Sequence, residues 1–329
     1  MSFLKNIPLG VSGVALATAG LGNLLVYPGG LIAEPFSIYL RYTFGTIALI
    51  ALTLFALRLI FDFPGVKKDV ESPVILSMLP ASTMSIILLT IYLVPHAPDL
   101  AKVIWASAAI VQVCIILFFT KRFVLNFKLE NVYPSWYVTA VGIQAIAIAS
   151  PHMDALPIGQ LAFWLGFALY FCVTVLVIAR YLKHRPLPEK YRPTIMVLTA
   201  PIGICIVGYL AAFPNPSLHL LIFMLVVGSA SYLIALAALP GLVRLPFYPS
   251  LAALGFPMVV SGFAFKKGSE LLTAQVLPEL TGFLAWIVGT ALPLVALFAE
   301  GMAVVVVCYV IVRYSLFFAG QLHQFRRSV

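Results

Sequence analysis

Residues 251–265 read LAALGFPMVVSGFAF, and this stretch decides how the rest of the chain is read. It is apolar enough for a bilayer, yet Pro257 stands at its centre. Proline has no backbone N–H, and its ring clashes with the carbonyl four residues back, here Ala253, which predicts a kinked helix. Phe256 sits immediately before the break, among the small residues Ala252, Ala253, Gly255, Ser261 and Gly262. A large ring at the bend of a small-residue helix suits a plug across a narrow passage. The same residues also suit a core phenylalanine beside a packing kink.

Outward from this stretch the chain is apolar almost throughout. Of its 329 residues, 62% are hydrophobic and 9% charged, and the mean hydropathy is +1.08. Soluble domains carry about 25% charged residues, so the composition is that of a polytopic membrane protein. A helix needs about 20 apolar residues to cross the hydrocarbon core, and open sheet edges cannot sit in lipid. The expected class is all-α integral membrane, a single transmembrane domain over 1–329. Ten spans are expected near 7–26, 40–61, 73–95, 102–120, 134–151, 158–182, 193–213, 217–239, 248–265 and 283–312. The last is longer than a crossing needs and should tilt, kink at Pro293 or project into water. The first could mimic a signal peptide, through triplets such as Ala15-Leu16-Ala17, and is expected to be retained.

Cations give the orientation. Of the 20 lysines and arginines, only Arg41, Lys102, Lys266 and Lys267 fall on one set of loops and ends. The remainder, among them Lys5, Arg58, Arg185, Lys190, Arg326 and Arg327, fall on the other. Both termini are therefore expected in the cytoplasm of a bacterial inner or plasma membrane. The net charge of +9 reads as topology and not as nucleic-acid binding.

The spans alternate in character. Odd spans are rich in small residues and prolines, including Pro8, Pro80, Pro201 and Pro257. Even spans are bulkier, as in Ile115–Phe119. Small residues permit close helix packing or leave room along an axis, and bulky apolar residues suit lipid. The pattern suggests five helical hairpins, with the odd helices around a central pore and the even helices outside. Pore-lining candidates are Gly13, Ser82, Thr83, Thr139, Thr199, Gly255 and Ser261.

Chemistry in the odd spans is sparse. At mid-depth they carry no charged side chain or histidine, only hydroxyls, Asn23 and Gln144. The parts for intramembrane catalysis, metal binding or a cofactor Schiff base are missing, so neither an enzyme nor a metal or cofactor site is expected. Cys114, Cys172, Cys205 and Cys308 lie in apolar runs and read as buried thiols. His96, His152, His184, His219 and His323 lie at span ends or in loops and read as surface residues. Glu300 is the one deeply placed carboxylate. It is either a proton-coupling group with a pKa raised by desolvation or a bonded glutamate in the outer ring. Cation pathways use carboxylate or carbonyl rings, whereas anions can use hydroxyls, N–H groups and helix N-termini. The path is therefore expected not to select cations.

Five short motifs then fall in order on the five odd spans. They are Ile7-Pro8-Leu9-Gly10 with Gly13, Leu79-Pro80-Ala81-Ser82-Thr83-Met84, Tyr133-Pro134-Ser135-Trp136-Tyr137, Leu198-Thr199-Ala200-Pro201 after Arg192, and Gly255-Phe256-Pro257-Met258. Together they resemble the tellurite-resistance/dicarboxylate transporter family, which includes bacterial TehA proteins and the plant slow anion channels. The resemblance implies five hairpins around a pore, a homotrimer with one pore per subunit, and Phe256 as the occluding gate. It implies transport of small anions, chloride- or nitrate-like in the channel branch, with proton-coupled export of dicarboxylates such as malate, or of sulfite or tellurite, as the alternative. The sequence departs from TehA at Ala15 and Thr139, where TehA has further prolines, and this should change pore width. Kinase regulation through the long cytoplasmic tails of the plant channels is not expected.

Overall fold

The computed structural model describes residues 2–184 and 186–327, with side chains from 4 to 323. Arg185, Arg326 and Arg327, counted above among the cytoplasmic cations, lie outside the described side chains. The described chain is helical, with no strand. Eight helices are long and apolar enough to cross a membrane: Phe36–Phe61, Pro73–Leu93, Pro98–Val124, Leu156–Lys183, Glu189–Ala212, Leu218–Leu242, Pro249–Gln275 and Gly282–His323.

Two expected spans take shorter forms. Val11–Leu25 has 15 residues, about 22 Å of helix. A separate turn of helix, Ser2–Lys5, precedes it across the Pro8 break. The 134–151 region divides into Trp136–Val141 and Gln144–Ala149. No proline stands at that division. Gly142 makes the turn in a crowded site, where a Cβ would lie 2.2 Å from the Val138 carbonyl oxygen and 2.7 Å from Met84 Sδ.

Prolines in the other small-residue segments take a form that differs from a mid-helix kink. Pro80 is the first residue of Pro80–Leu93, Pro201 the second of Ala200–Ala212 and Pro257 the third of Gly255–Gln275. First-turn N–H groups have no intrahelical acceptor, so proline loses nothing there. The chain reaches the last two helices through 3₁₀ turns, Glu189–Leu198 and Pro249–Leu254. The tighter winding lets an α-helix begin part-way along each segment.

Two span ends also differ. The helix containing Phe256 continues through Lys266 and Lys267 to Gln275, because Lys266 is neutralised inside the protein, as described below. The last helix, Leu292–Arg327, has 36 residues. That is about 54 Å, against about 30 Å of hydrocarbon, so it extends beyond a bilayer core. A π-turn, Ile287–Ala291, precedes it and offsets it from Gly282–Trp286.

Burial alternates along the chain. Every residue of Val11–Leu25 is buried. In the apolar cores of Pro73–Leu93, Glu189–Ala212 and Pro249–Gln275, 67–89% of residues are buried, against 22–39% in the other five long helices. Those five expose Leu49, Ile110, Leu161, Leu233 and Val305, the face a membrane protein offers to lipid. Cys114, Cys172 and Cys308 are exposed on the same faces, and only Cys205 is the buried thiol expected of all four. Here the thiols follow the lipid-facing apolar surface and not the protein core.

Each buried segment packs on the helix that follows it. Val11–Leu25 packs on Phe36–Phe61, Pro80–Leu93 on Pro98–Phe119, Gln144–Ala149 on Leu156–Lys183, Ala200–Ala212 on Leu218–Leu242, and Gly255–Gln275 on Leu292–Arg327. The buried segments also pack on one another in chain order, and Gly255–Gln275 returns to Val11–Leu25. Glycines permit that last approach. A Cβ on Gly13 would lie 2.9 Å from Ala252 Cβ, and one on Gly255 2.7 Å from Ala17 Cβ.

Candidate functional site

Three cavities lie among the buried segments. A middle cavity of about 50 Å³ is walled by Gly13, Leu16, Met78, Ala81, Met84, Tyr137, Val138, Val141, Gly142, Val197, Ala200, Pro201, Ile204, Ala252, Ala253, Phe256 and Pro257. Tyr137 supplies its one polar side chain, and that hydroxyl donates to Thr174 Oγ1 at 2.7 Å. A distal cavity of about 400 Å³ is lined by Asn23, Tyr27, Arg41, His152, Phe263 and Lys267, with aliphatic residues between them. A basal cavity of about 410 Å³ carries Lys5, Arg58, Asp69 and Lys190, and Pro8 also faces it.

Phe256 is the one residue common to the middle and distal linings. Its ring reaches across to Val11–Leu25, where a Cβ on Gly20 would lie 3.3 Å from Cε2. The side chain is 8% exposed and borders both cavities. Met78 plays the same geometric part between the middle and basal cavities.

The sequence candidates divide on this geometry. Phe256, Gly13, Pro201 and Pro257 face the middle cavity, and Pro8 the basal one. Pro80 is buried at the start of its helix. Gly255 packs on Ala17. The hydroxyls turn to neighbouring backbone and helices. Ser82 donates to the Leu79 carbonyl at 2.8 Å and Thr139 to the Ser77 carbonyl at 2.9 Å. Thr83 bonds the Pro80 carbonyl at 2.9 Å and Gln112 on the adjacent helix. Thr199 and Ser261 bond each other at 3.2 Å. Asn23 and Gln144 donate to the carbonyls of Leu88 and Phe163 at 3.1 and 3.0 Å.

Glu300 is fully buried and has two partners, one of which makes a further bond. Lys266 Nζ lies 3.2 Å from its Oε2, the Leu31 N–H donates to Oε1 at 3.2 Å, and Lys266 also donates to the Tyr27 carbonyl at 2.9 Å. A Cβ on Gly30 would lie 2.5 Å from Lys266 Nζ and 2.8 Å from Glu300 Oε1, so the loop packs closely over the pair. The pairing joins residues 34 positions apart, a separation that gives no local sequence signal.

Charge at the two cavity ends has the same sign but different company. Basal Arg58 is paired with Asp62 at 2.8 Å and Asp69 at 3.1 Å. Distal Arg41 donates to the Ile91 carbonyl at 3.0 Å and lies over the Tyr92 ring at 4.6 Å. Lys267 lies 5.3 Å from the Tyr27 and Phe263 ring centres. Neither distal cation has a carboxylate at ion-pairing distance among the described residues. His152, in the Ser150–Met153 turn, completes the set. Its pKa is held below the usual histidine value by burial and by the charges of Lys267 and Arg41.

Residues 6–288 match the family model SLAC1, described as voltage-dependent anion channel. The chain belongs to the SLAC1 family. This SLAC1-family chain is 27% identical over 230 residues to uncharacterized transporter MJ0762 of Methanocaldococcus jannaschii, covering 65% of this chain and 67% of the relative. It is 33% identical over 100 residues to uncharacterized transporter MJ0576 of the same organism, covering 27% of this chain and 29% of the relative. The SLAC1 family is one of channels and transporters, which accords with the sequence reading of a multi-pass transport protein rather than an enzyme.

Proposed function

We propose that the protein is a gated anion pathway in which Phe256 is the gate. Ten crossing segments pair as five hairpins, and the five small-residue segments surround the path. The path runs from the basal cavity past Met78, through the middle cavity, past Phe256 and into the distal cavity. The observation that carries this reading is that a single ring stands between two cavities.

Electrostatics supports an anion. Cations line the cavities at both ends. Between them, the first turns of Val11–Leu25, Pro80–Leu93, Ala200–Ala212 and Gly255–Gln275 contribute Gly13, Ala81, Pro201 and Pro257 to the middle wall. Helix N-termini carry about half a positive charge each, so four converge on an otherwise uncharged chamber. This arrangement favours a small anion without fixing it in a deep well, as conduction requires. Both termini and the basal cavity face the cytoplasm in this reading. Small inorganic anions such as chloride or nitrate are the proposed cargo, and a homotrimer in a bacterial inner or plasma membrane is the proposed assembly.

The reading is tested with Phe256→Ala in reconstituted bilayers. Removing the ring should raise anion current at least tenfold with anion selectivity retained. Unchanged current from protein shown to be inserted would remove the gate. The proton-coupled alternative assigns coupling to Glu300, and it requires Glu300→Gln to abolish pH-dependent uptake.

A further inference from the structure

The distal cavity holds a cluster of cations with no carboxylate partner among them. We propose that Arg41, His152 and Lys267 form a binding site for a small anion, and that the pH on that side sets its affinity. The proposal rests on the reading of the distal cavity as the external mouth of the path, and it assigns that mouth a regulatory role.

Geometry comes first. Arg41 lies in the second turn of Phe36–Phe61, His152 in the turn after Gln144–Ala149, and Lys267 past the middle of the Phe256 helix. Three separate elements thus direct cationic side chains to one cavity. Like charges brought together without counter-charge repel, and an anion between them relieves the repulsion. Arg41 Nε is buried with no hydrogen-bond partner, and Lys267 has ring faces beside it in place of a carboxylate. On the distal side, charge pairing is found elsewhere. Lys266 is held by Glu300, and Lys102 by Asp154 at 2.6 Å.

His152 makes the site responsive. The elements packed on its turn are Pro98–Phe119, Gln144–Ala149, Leu156–Lys183 and Ala200–Ala212. Their charged groups near this end are Asp99 and Lys102, the latter committed to Asp154. Arg180 and Lys183 stand at the opposite end of Leu156–Lys183. His96 is bonded to the Tyr42 hydroxyl at 2.9 Å. Glu270, one turn beyond Lys267, is the nearest carboxylate on that helix, and it is not within ion-pairing distance of Lys267. Beyond burial, the charged groups that act on His152 are Lys267 and Arg41, and both disfavour its protonation.

Binding and protonation are therefore linked with a definite sign. With the cavity empty of anion, burial and then the charges of Lys267 and Arg41 disfavour the protonated form of His152. An anion cancels part of their field, so His152 takes up a proton and adds a third positive charge. By reciprocity, acidification strengthens anion binding. A rise of about one in the His152 pKa corresponds to about tenfold tighter binding well below that pKa than well above it.

The test uses full-length protein in nanodiscs with isotope-labelled histidine, and nitrate as the anion. His152→Gln identifies the His152 resonance. Nitrate should raise the His152 pKa by about one. Arg41→Gln and Lys267→Gln should each raise the nitrate-free pKa and blunt the response to nitrate. A His152 titration identical with and without saturating nitrate in the wild-type protein would overturn the proposal, whatever the variants do. The measurement is independent of Phe256. A nitrate response combined with unchanged Phe256→Ala current would retain the site and remove the gate. A flat His152 titration combined with raised Phe256→Ala current would do the reverse.

Discussion

The two cavities that meet at Phe256 are built from opposite materials. The middle one is small and walled by glycine, alanine, proline and aliphatic side chains, with helix N-termini as its source of positive potential. The distal one is about eight times larger and carries Arg41, Lys267 and a histidine, His152. The difference separates two tasks. Side-chain charge on a wide mouth can collect and hold an anion. Dipoles around a narrow, dry chamber can let it pass without holding it. The Phe256 ring lines both cavities, and the proposed gate makes it the element that joins or parts them.

Three substitutions probe the supports of this division, from the largest effect to the smallest. On the distal side, the Lys266–Glu300 pair fastens the Phe256 helix to the last helix and to the loop at Tyr27–Leu31. Glu300→Ala leaves a buried ammonium without its partner, which costs about 3–5 kcal/mol. A large fall in thermal unfolding temperature in detergent is expected. Little change would mean that the distal end is not held by this pair. At the middle cavity, Gly142→Ala places a methyl against the Val138 carbonyl and Met84 Sδ. Overpacking of this kind costs about 1–3 kcal/mol, and it should show as lowered stability and a narrowed chamber. The matching change at Gly241, on a peripheral helix with nothing within 4 Å of an added Cβ, should be neutral or stabilising by about 0.5–1 kcal/mol. If Gly142→Ala and Gly241→Ala behave alike, the middle chamber is looser than described.

Much of the architecture could be read in the sequence because it follows from solvent preference. Small residues and prolines mark segments that meet other protein, and bulky residues mark segments that meet lipid. The structure buries them accordingly. Phe256 stood out for a local reason, a large ring beside a proline in a small-residue stretch. Its place between two cavities needed the packing against Gly20, which no local pattern contains.

The hydroxyls illustrate the limit. Sequence gives the depth of Ser82, Thr83, Thr139, Thr199 and Ser261 along a segment but not the direction each faces. Breaks in the helices reset that direction, and these side chains point to neighbouring backbone and helices. The division at Gly142 is equally hidden, because no proline marks it and the sequence departs from TehA at Thr139 instead. His152 reads as a surface histidine and is exposed, but its place beside Arg41 and Lys267 on one cavity is hidden, since both lie more than a hundred residues away along the chain. Glu300 stands out in the sequence as an isolated acid, but Lys266 lies beyond the apolar run that ends at Phe265, so the pair does not.

The central claim is that Phe256 separates the middle cavity from the distal one. Cysteine accessibility tests it directly, in a background lacking the four native cysteines. Val26→Cys places a thiol on the distal wall and Ala253→Cys places one on the middle wall. A membrane-impermeant thiol reagent added from the distal side should modify the first and leave the second unreacted. Adding Phe256→Ala should make the cysteine at 253 reactive. Equal reaction at 253 with and without the Phe256 ring would contradict the account.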